Sequence, residues 1–205
     1  MGDVVVVRHG QSTWNVEHRF TGQADPPLSA LGLRQAAALA ATCGELDLDA
    51  VAASDLRRAY ATAEVVSGAL DLPAPAAIPE LRERWSEGLT GHTRDEIEAR
   101  HPGTLAAWRR GAPVADTGPH EPFEDFVDRV LDGLVTASRL GQRVLVVAHA
   151  GIFVVLDTVF GQAGTEVANA EGRVVRVVDG RVVAVTGQVV VPQLAGGDRT
   201  GREDP

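Results

Sequence analysis

Two histidines in this 205-residue chain stand where a sheet would present reactive groups. The apolar run Val4–Val7 is followed by Arg8, His9 and Gly10, and the run Val144–Ala148 is followed directly by His149. Short continuous apolar runs fit strands buried on both faces. Ligands of open α/β sheets bind just beyond the carboxyl ends of such strands. Two histidines leaving two central strands at one edge can therefore face one pocket, and Gly10 lets the chain turn sharply after His9. A single histidine at a strand end is more often a hydrogen-bonding or surface residue. The pairing with arginines reverses that weighting. Arg8 stands beside His9, and Arg58 falls in the first turns of the helix after a second short strand, Asp49–Ala53. Arginine offers a planar fork of donors matched to phosphate oxygens. Alone, Arg58 would be an ordinary solvated helix residue; beside two histidines and Arg8 it points to an anion site.

The elements that must position these residues follow from patterning. Ser29 can cap a helix running to about Cys43, with Gly44 as its stop signal. Leu56, Ala59, Tyr60, Ala63, Val66 and Leu70 recur at helical spacing and end before Pro73. Residues 80 to 122 are irregular, with short helices over Arg94–Arg100 and Leu105–Arg110. Phe123, Phe126, Val127, Val130 and Leu134 mark an amphipathic helix, and Gly151–Phe160 is a further helix. Val174–Val178 and Val182–Val185 flank Asp179-Gly180, a hairpin signal. Strands alternating with helices predict an α/β fold, a three-layer sandwich. A largely parallel central sheet would carry helices on both faces and an antiparallel edge. One domain over residues 1–195 is expected, with 80–122 as an insertion covering the active site and 196–205 as a disordered tail.

Composition narrows the functional classes. The formal net charge of -9 disfavours nucleic acid and anionic membranes as partners, because both require a basic face. Cys43 is the only cysteine, which rules out an internal disulfide and suits a reducing cytoplasm. Cys43 itself fits a small core residue. No apolar stretch approaches the length of a membrane span, and no signal peptide is evident. His18, His92, His101 and His120 show no metal-ligand spacing. A homodimer is left open.

The block Arg8-His9-Gly10-Gln11-Ser12-Thr13-Trp14-Asn15, then Arg19-Phe20-Thr21-Gly22, closely resembles the start of the histidine phosphatase superfamily, above all its phosphoglycerate mutase branch. Ser54 to Glu64, Leu81-Arg82-Glu83-Arg84 and Ala148-His149-Ala150-Gly151 resemble its later blocks, in family order. The resemblance implies that His9 attacks phosphorus. It implies that Arg8, Arg58 and His149 hold the phosphoryl oxygens with help from Asn15, and that Glu83 is the general acid. It implies neither a cofactor nor a metal ion, because an arginine-histidine cradle supplies the positive charge. The expected partner is a small phosphorylated metabolite.

The mutase branch and the phosphatases differ around this shared centre. Thr21, Gly22 and Trp108-Arg109-Arg110 resemble mutase positions that contact substrate, and Arg94 falls where those enzymes have a lysine. These six residues, apart from Trp108, are the candidate substrate contacts beside Asn15. Against a mutase, the segment Gly111–Pro122 is short, Ser86 replaces an aromatic residue, and Gly151 replaces an asparagine. Hydrolysis of a phosphomonoester is therefore the expected activity, with bisphosphoglycerate-dependent mutase transfer as the alternative. A catalytically dead binding module would have lost one of His9, Arg8, Arg58, Glu83 or His149, and all are present.

Overall fold

The valine run lies in β1 (Gly2–Arg8), and all four of its valines are buried. Val4 and Val6 pack into the core on one face of the sheet, Val5 and Val7 into the core on the other. That two-sided burial is why the run is continuous rather than alternating. The computed structural model describes residues 2–112, 114, 117–161 and 167–189. The tail expected at 196–205 lies outside them.

After β1 comes a single-turn helix, α1 (Thr13–Val16), closed by a capping box between Ser12 and Asn15. Next is α2 (Ala30–Cys43), where the Ser29 side chain accepts from Gly32 N. The chain leaves α2 at Gly44 with φ −58, in the right-handed region. The stop therefore makes no use of glycine's access to positive φ. β2 (Ala50–Ala53) and α3 (Arg57–Ala69) follow, then a two-residue strand, β3 (Ala76–Ala77). Residues 80–122 carry α4 (Arg94–Arg100) and α5 (Thr104–Arg109). Then come α6 (Phe123–Ala137), β4 (Arg143–Ala148) and α7 (Ala150–Phe160). The hairpin of β5 (Gly172–Val178) and β6 (Arg181–Val189) turns at Asp179 and Gly180, both at positive φ, as a two-residue type I′ turn requires.

The strands form one sheet in the order β3-β2-β4-β1-β5-β6. β1, β2, β3 and β4 are parallel, and β5 and β6 add the antiparallel edge. Leu39 of α2 and Val66 of α3 join the core on one face. Val130 of α6 and Ile152 of α7 join the core on the other. The fold is thus a three-layer α/β sandwich.

Register does the positioning. Arg8 of β1 stands opposite Ala148 of β4, so the next residues, His9 and His149, leave neighbouring strands at the same edge. His9 N donates to Ala148 O at 2.9 Å, which ties the two exits together. Beyond β1 the chain runs against the first turn of α2. A Cβ on Gly10 would lie 2.5 Å from the Gly32 carbonyl oxygen, and one on Gly32 would lie 2.1 Å from that of Gln11. Gly10 therefore serves a close backbone crossing, and Gly32 is its counterpart. Gly32→Ala should push α2 off this loop and destabilise the fold by about 1–3 kcal/mol, the usual cost of overpacking. Urea unfolding checks this; an unchanged midpoint would show that the crossing relaxes freely.

Candidate active site

The loop after β1 sets the state of His9. Its Nδ1 lies 2.6 Å from the carbonyl oxygen of Gly10. A carbonyl cannot donate, so Nδ1 carries the proton and Nε2 keeps its lone pair. Arg58 Nε donates to that Nε2 at 3.1 Å. The peptide of Gly10 is itself held from behind, because Gly10 N donates to Thr62 Oγ1 at 3.1 Å. Asn169 Nδ2 donates to the His9 carbonyl at 2.8 Å. His9 is buried, and burial first, then the charges of Arg58 and Arg8, hold it well below the ordinary imidazole pKa. The Gly10 bond acts in the opposite direction without prevailing.

Arg58 reaches the site from the first turn of α3 and is 1% exposed. Its Nη1 donates to Ala24 O at 2.8 Å and its Nη2 to Gly22 O at 3.0 Å. Each guanidinium nitrogen is thus anchored, and burial pushes the group down to about 10. Arg8 donates through Nη1 to Val167 O at 2.9 Å. His149 lies edge-on to His9, with ring centroids 5.2 Å apart. It is fully buried, and neither ring nitrogen has a hydrogen-bond partner among the described residues. Burial, then Arg58 and His9, hold it too well below the ordinary value.

Glu83 faces this group from the loop after the Pro79–Leu81 turn. Its Oε1 accepts from Arg84 N at 2.8 Å, and its Oε2 accepts from Gly151 N at 3.1 Å, in the first turn of α7. Gly151 leaves it no slack: a Cβ there would lie 2.1 Å from Glu83 Oε1. Glu83 lines the cavity, whereas Glu80 and Glu87 are not among its walls.

The cavity has a volume of about 580 Å³. Arg8, His9, Asn15 and Arg58 lie on its wall, together with Thr21 and Gly22. His149 packs edge-on against the lining His9 and is not itself part of the wall. Asn15 Oδ1 accepts from Ser12 N, so the donor end of its amide is the one left to face a ligand. Arg94, Arg109 and Arg110 line the outer end and are exposed there. Arg84, Gly151 and Thr62 are not among the site candidates that the sequence marks, although each lies within one of the matching blocks. Asn169 had no sequence signal.

The sheet, the paired strand-end histidines and the neighbouring arginines define an α/β enzyme of the histidine phosphatase type. The model of the histidine phosphatase superfamily (branch 1) matches residues 4–187, and the chain belongs to that superfamily. It is 34% identical to a metal-independent phosphoserine phosphatase of Arabidopsis thaliana, over 73% of this chain and 65% of that one. It is 37% identical to a 2,3-bisphosphoglycerate-dependent phosphoglycerate mutase of Methylobacterium radiotolerans, over 71% of this chain and 73% of the mutase. Among solved structures it is similar to a mycobacterial glucosyl-3-phosphoglycerate phosphatase complexed with VO3. That match has a TM-score of 0.75 and 30% identity, over 86% of this chain and 93% of that one.

The contact between Gly151 and Glu83 yields a test of the acid's placement. Gly151→Ala should displace the Glu83 carboxyl and slow ester cleavage most for alkyl phosphates, whose leaving groups need a proton. A loss on the order of 100-fold is expected, since small misplacements cost that much. An aryl phosphate should suffer less. Single-turnover rates for both substrates check this; equal losses would mean that Glu83 gives no proton to the leaving group.

Proposed function

We propose that the protein is a phosphatase for a small phosphomonoester, working through a phosphohistidine on His9 without a metal ion. One observation carries the proposal. The Gly10 carbonyl accepts a hydrogen bond from Nδ1–H, so a neutral His9 directs its Nε2 lone pair at the point where Arg58 donates. A neutral nucleophile inside a cationic cradle is the arrangement that attack on a phosphate dianion needs.

A phosphoryl group entering the cradle would take the Arg58 Nε donor from His9 Nε2, exposing the lone pair to phosphorus. Arg8, Arg58 and His149 would bind the non-bridging oxygens. A neutral His149 has one N–H to donate to them, and among the described residues neither of its ring nitrogens has a hydrogen-bond partner. The Nε2–P bond forms as the ester P–O bond breaks. Glu83 gives its proton to the departing oxygen. Glu83 then takes a proton from water, whose oxygen attacks phosphorus as the N–P bond breaks. Phosphate leaves and His9 is regenerated with Nδ1 still protonated.

The phosphatase named in the Arabidopsis relative and the one named in the mycobacterial structure support hydrolysis. The mutase relatives support a second outcome, return of the phosphoryl group to an acceptor hydroxyl. Arg109 and Arg110 on the cavity wall favour that reading only if they engage a bisphosphate. An isomerisation assay on 3-phosphoglycerate primed with 2,3-bisphosphoglycerate separates the two. The net charge of -9 argues for a small-molecule partner rather than nucleic acid or membrane, and the single cysteine for a cytoplasmic setting. Among the described residues no helix is long and apolar enough to cross a membrane.

Mixing enzyme with a labelled phosphomonoester and quenching should leave an acid-labile, base-stable phosphoryl group on His9. His9→Ala should abolish turnover, and EDTA should leave the rate unchanged. A label on an aspartate or serine, or activity lost on chelation and restored by a divalent ion, would contradict the mechanism.

A further inference from the structure

Glu83 follows the short Pro79–Leu81 turn and belongs to neither a helix nor a strand. No ladder of backbone bonds fixes such a segment, so its carbonyls need partners from elsewhere. One side chain of α6 supplies them. Arg129 Nη1 donates to the carbonyls of Glu80 and Arg82, each at 2.7 Å, and Nη2 donates to that of Glu83 at 3.1 Å. Gln23 Nε2 shares the Glu83 carbonyl at 3.0 Å. Arg129 Nε and Nη2 also bind the two carboxylate oxygens of Glu121, at 2.5 and 2.8 Å. These five bonds use every N–H of the guanidinium, and none is left for a ligand. Neither Arg129 nor Glu121 lines the cavity.

Glu121 grips the residues just after the acid. Its Oε2 accepts from Trp85 N at 3.2 Å, and its backbone exchanges bonds with Trp85 O and Arg84 Nε, both at 3.0 Å. Arg84 lies in turn 3.9 Å from the centre of the Trp108 ring and 5.3 Å from that of Phe123. The Arg129 guanidinium rests over Phe126, 4.7 Å from the ring centre. That ring backs Gly151, where an added Cβ would meet it at 3.0 Å. Gly151 N is the donor to Glu83 Oε2. Arg129 thus braces the chain that carries the acid and the ring behind the donor that aims it. Two-pronged arginine–carboxylate pairs fix geometry as well as adding energy. Proton transfer needs that fixity, because the acid must lie within hydrogen-bond reach of the departing oxygen.

Resting on the phosphatase reading above, we propose that Arg129, locked to Glu121, is the positioning residue for the general acid Glu83. It touches no substrate and acts by holding the Glu80–Glu83 backbone, so that the carboxyl meets the leaving-group oxygen. Glu121 is the second half of the clamp.

The test compares glycerol 3-phosphate, whose alkoxide must be protonated as it leaves, with 4-nitrophenyl phosphate, whose leaving group is stable as an anion. Single-turnover phosphorylation of His9 is the readout, because it isolates the step in which Glu83 gives its proton. In Arg129→Gln the alkyl ester should react on the order of 100-fold more slowly, the cost of a small misplacement at a reacting centre. The aryl ester should lose less than about 10-fold, and half-saturating concentrations should stay unchanged, since only the proton-transfer step is affected. Glu121→Gln leaves Arg129 in place without its charged partner. It should shift the alkyl-to-aryl ratio the same way by less, and it carries the test if Arg129→Gln does not fold. Equal losses on the two esters would make Arg129 a support of the fold alone and overturn the proposal. A rise in half-saturating concentration with unchanged maximal rates would overturn it too, as would an unchanged ratio in a folded variant. Failure of the phosphatase reading looks different: the wild type would form no phosphohistidine from either ester.

Discussion

The hydrogen bond from His9 Nδ1 to the carbonyl of Gly10 is the contact on which the site turns. It decides which ring nitrogen is basic, and so which atom can attack. Its geometry depends on the Gly10 peptide being held rigidly. Thr62 grips that peptide from α3, Asn169 grips the preceding carbonyl, and the crossing with Gly32 prevents its withdrawal. Each support comes from a different part of the chain. The loop after β1 is therefore defined by the packed sandwich rather than by its own sequence.

Around that nucleophile the protein gathers the guanidinium groups of Arg8 and Arg58. Arg58 is buried and anchored to carbonyls, and His149 is buried with neither nitrogen satisfied among the described residues. Both imidazoles are kept neutral by burial and by the arginines. Preorganised donors of this kind need no rearrangement when an anion binds.

Much of this was written in the amino-acid pattern. Val4–Val7 and Val144–Ala148 are apolar at every position because both of their faces are buried, so their strand character and central place could be read directly. The hairpin at Asp179-Gly180 was equally plain, since few residues tolerate two successive positive φ values. β3 could not be read, because two alanines carry no periodicity. Gly44 looked like a left-handed stop and is not one. Gly10 looked like a turn and serves instead a close crossing, which becomes visible only when α2 is packed against it. The arginines show the same limit. Arg94, Arg109 and Arg110 drew attention by resemblance, whereas the burial of Arg84 depends on Trp108 and Phe123 meeting in space, and no local pattern encodes that.

The neutrality and tautomer of His9 are open to direct observation. Burial and two neighbouring arginines disfavour the imidazolium, so the ring should stay neutral as the pH falls below 6.5, the ordinary histidine value. Ring-nitrogen NMR of the ligand-free enzyme, assigned with His9→Gln, should show protonated Nδ1 and unprotonated Nε2 at pH 7. The same spectrum should persist at about one unit lower. A proton on Nε2, or an imidazolium at pH 7, would contradict His9 as the poised nucleophile.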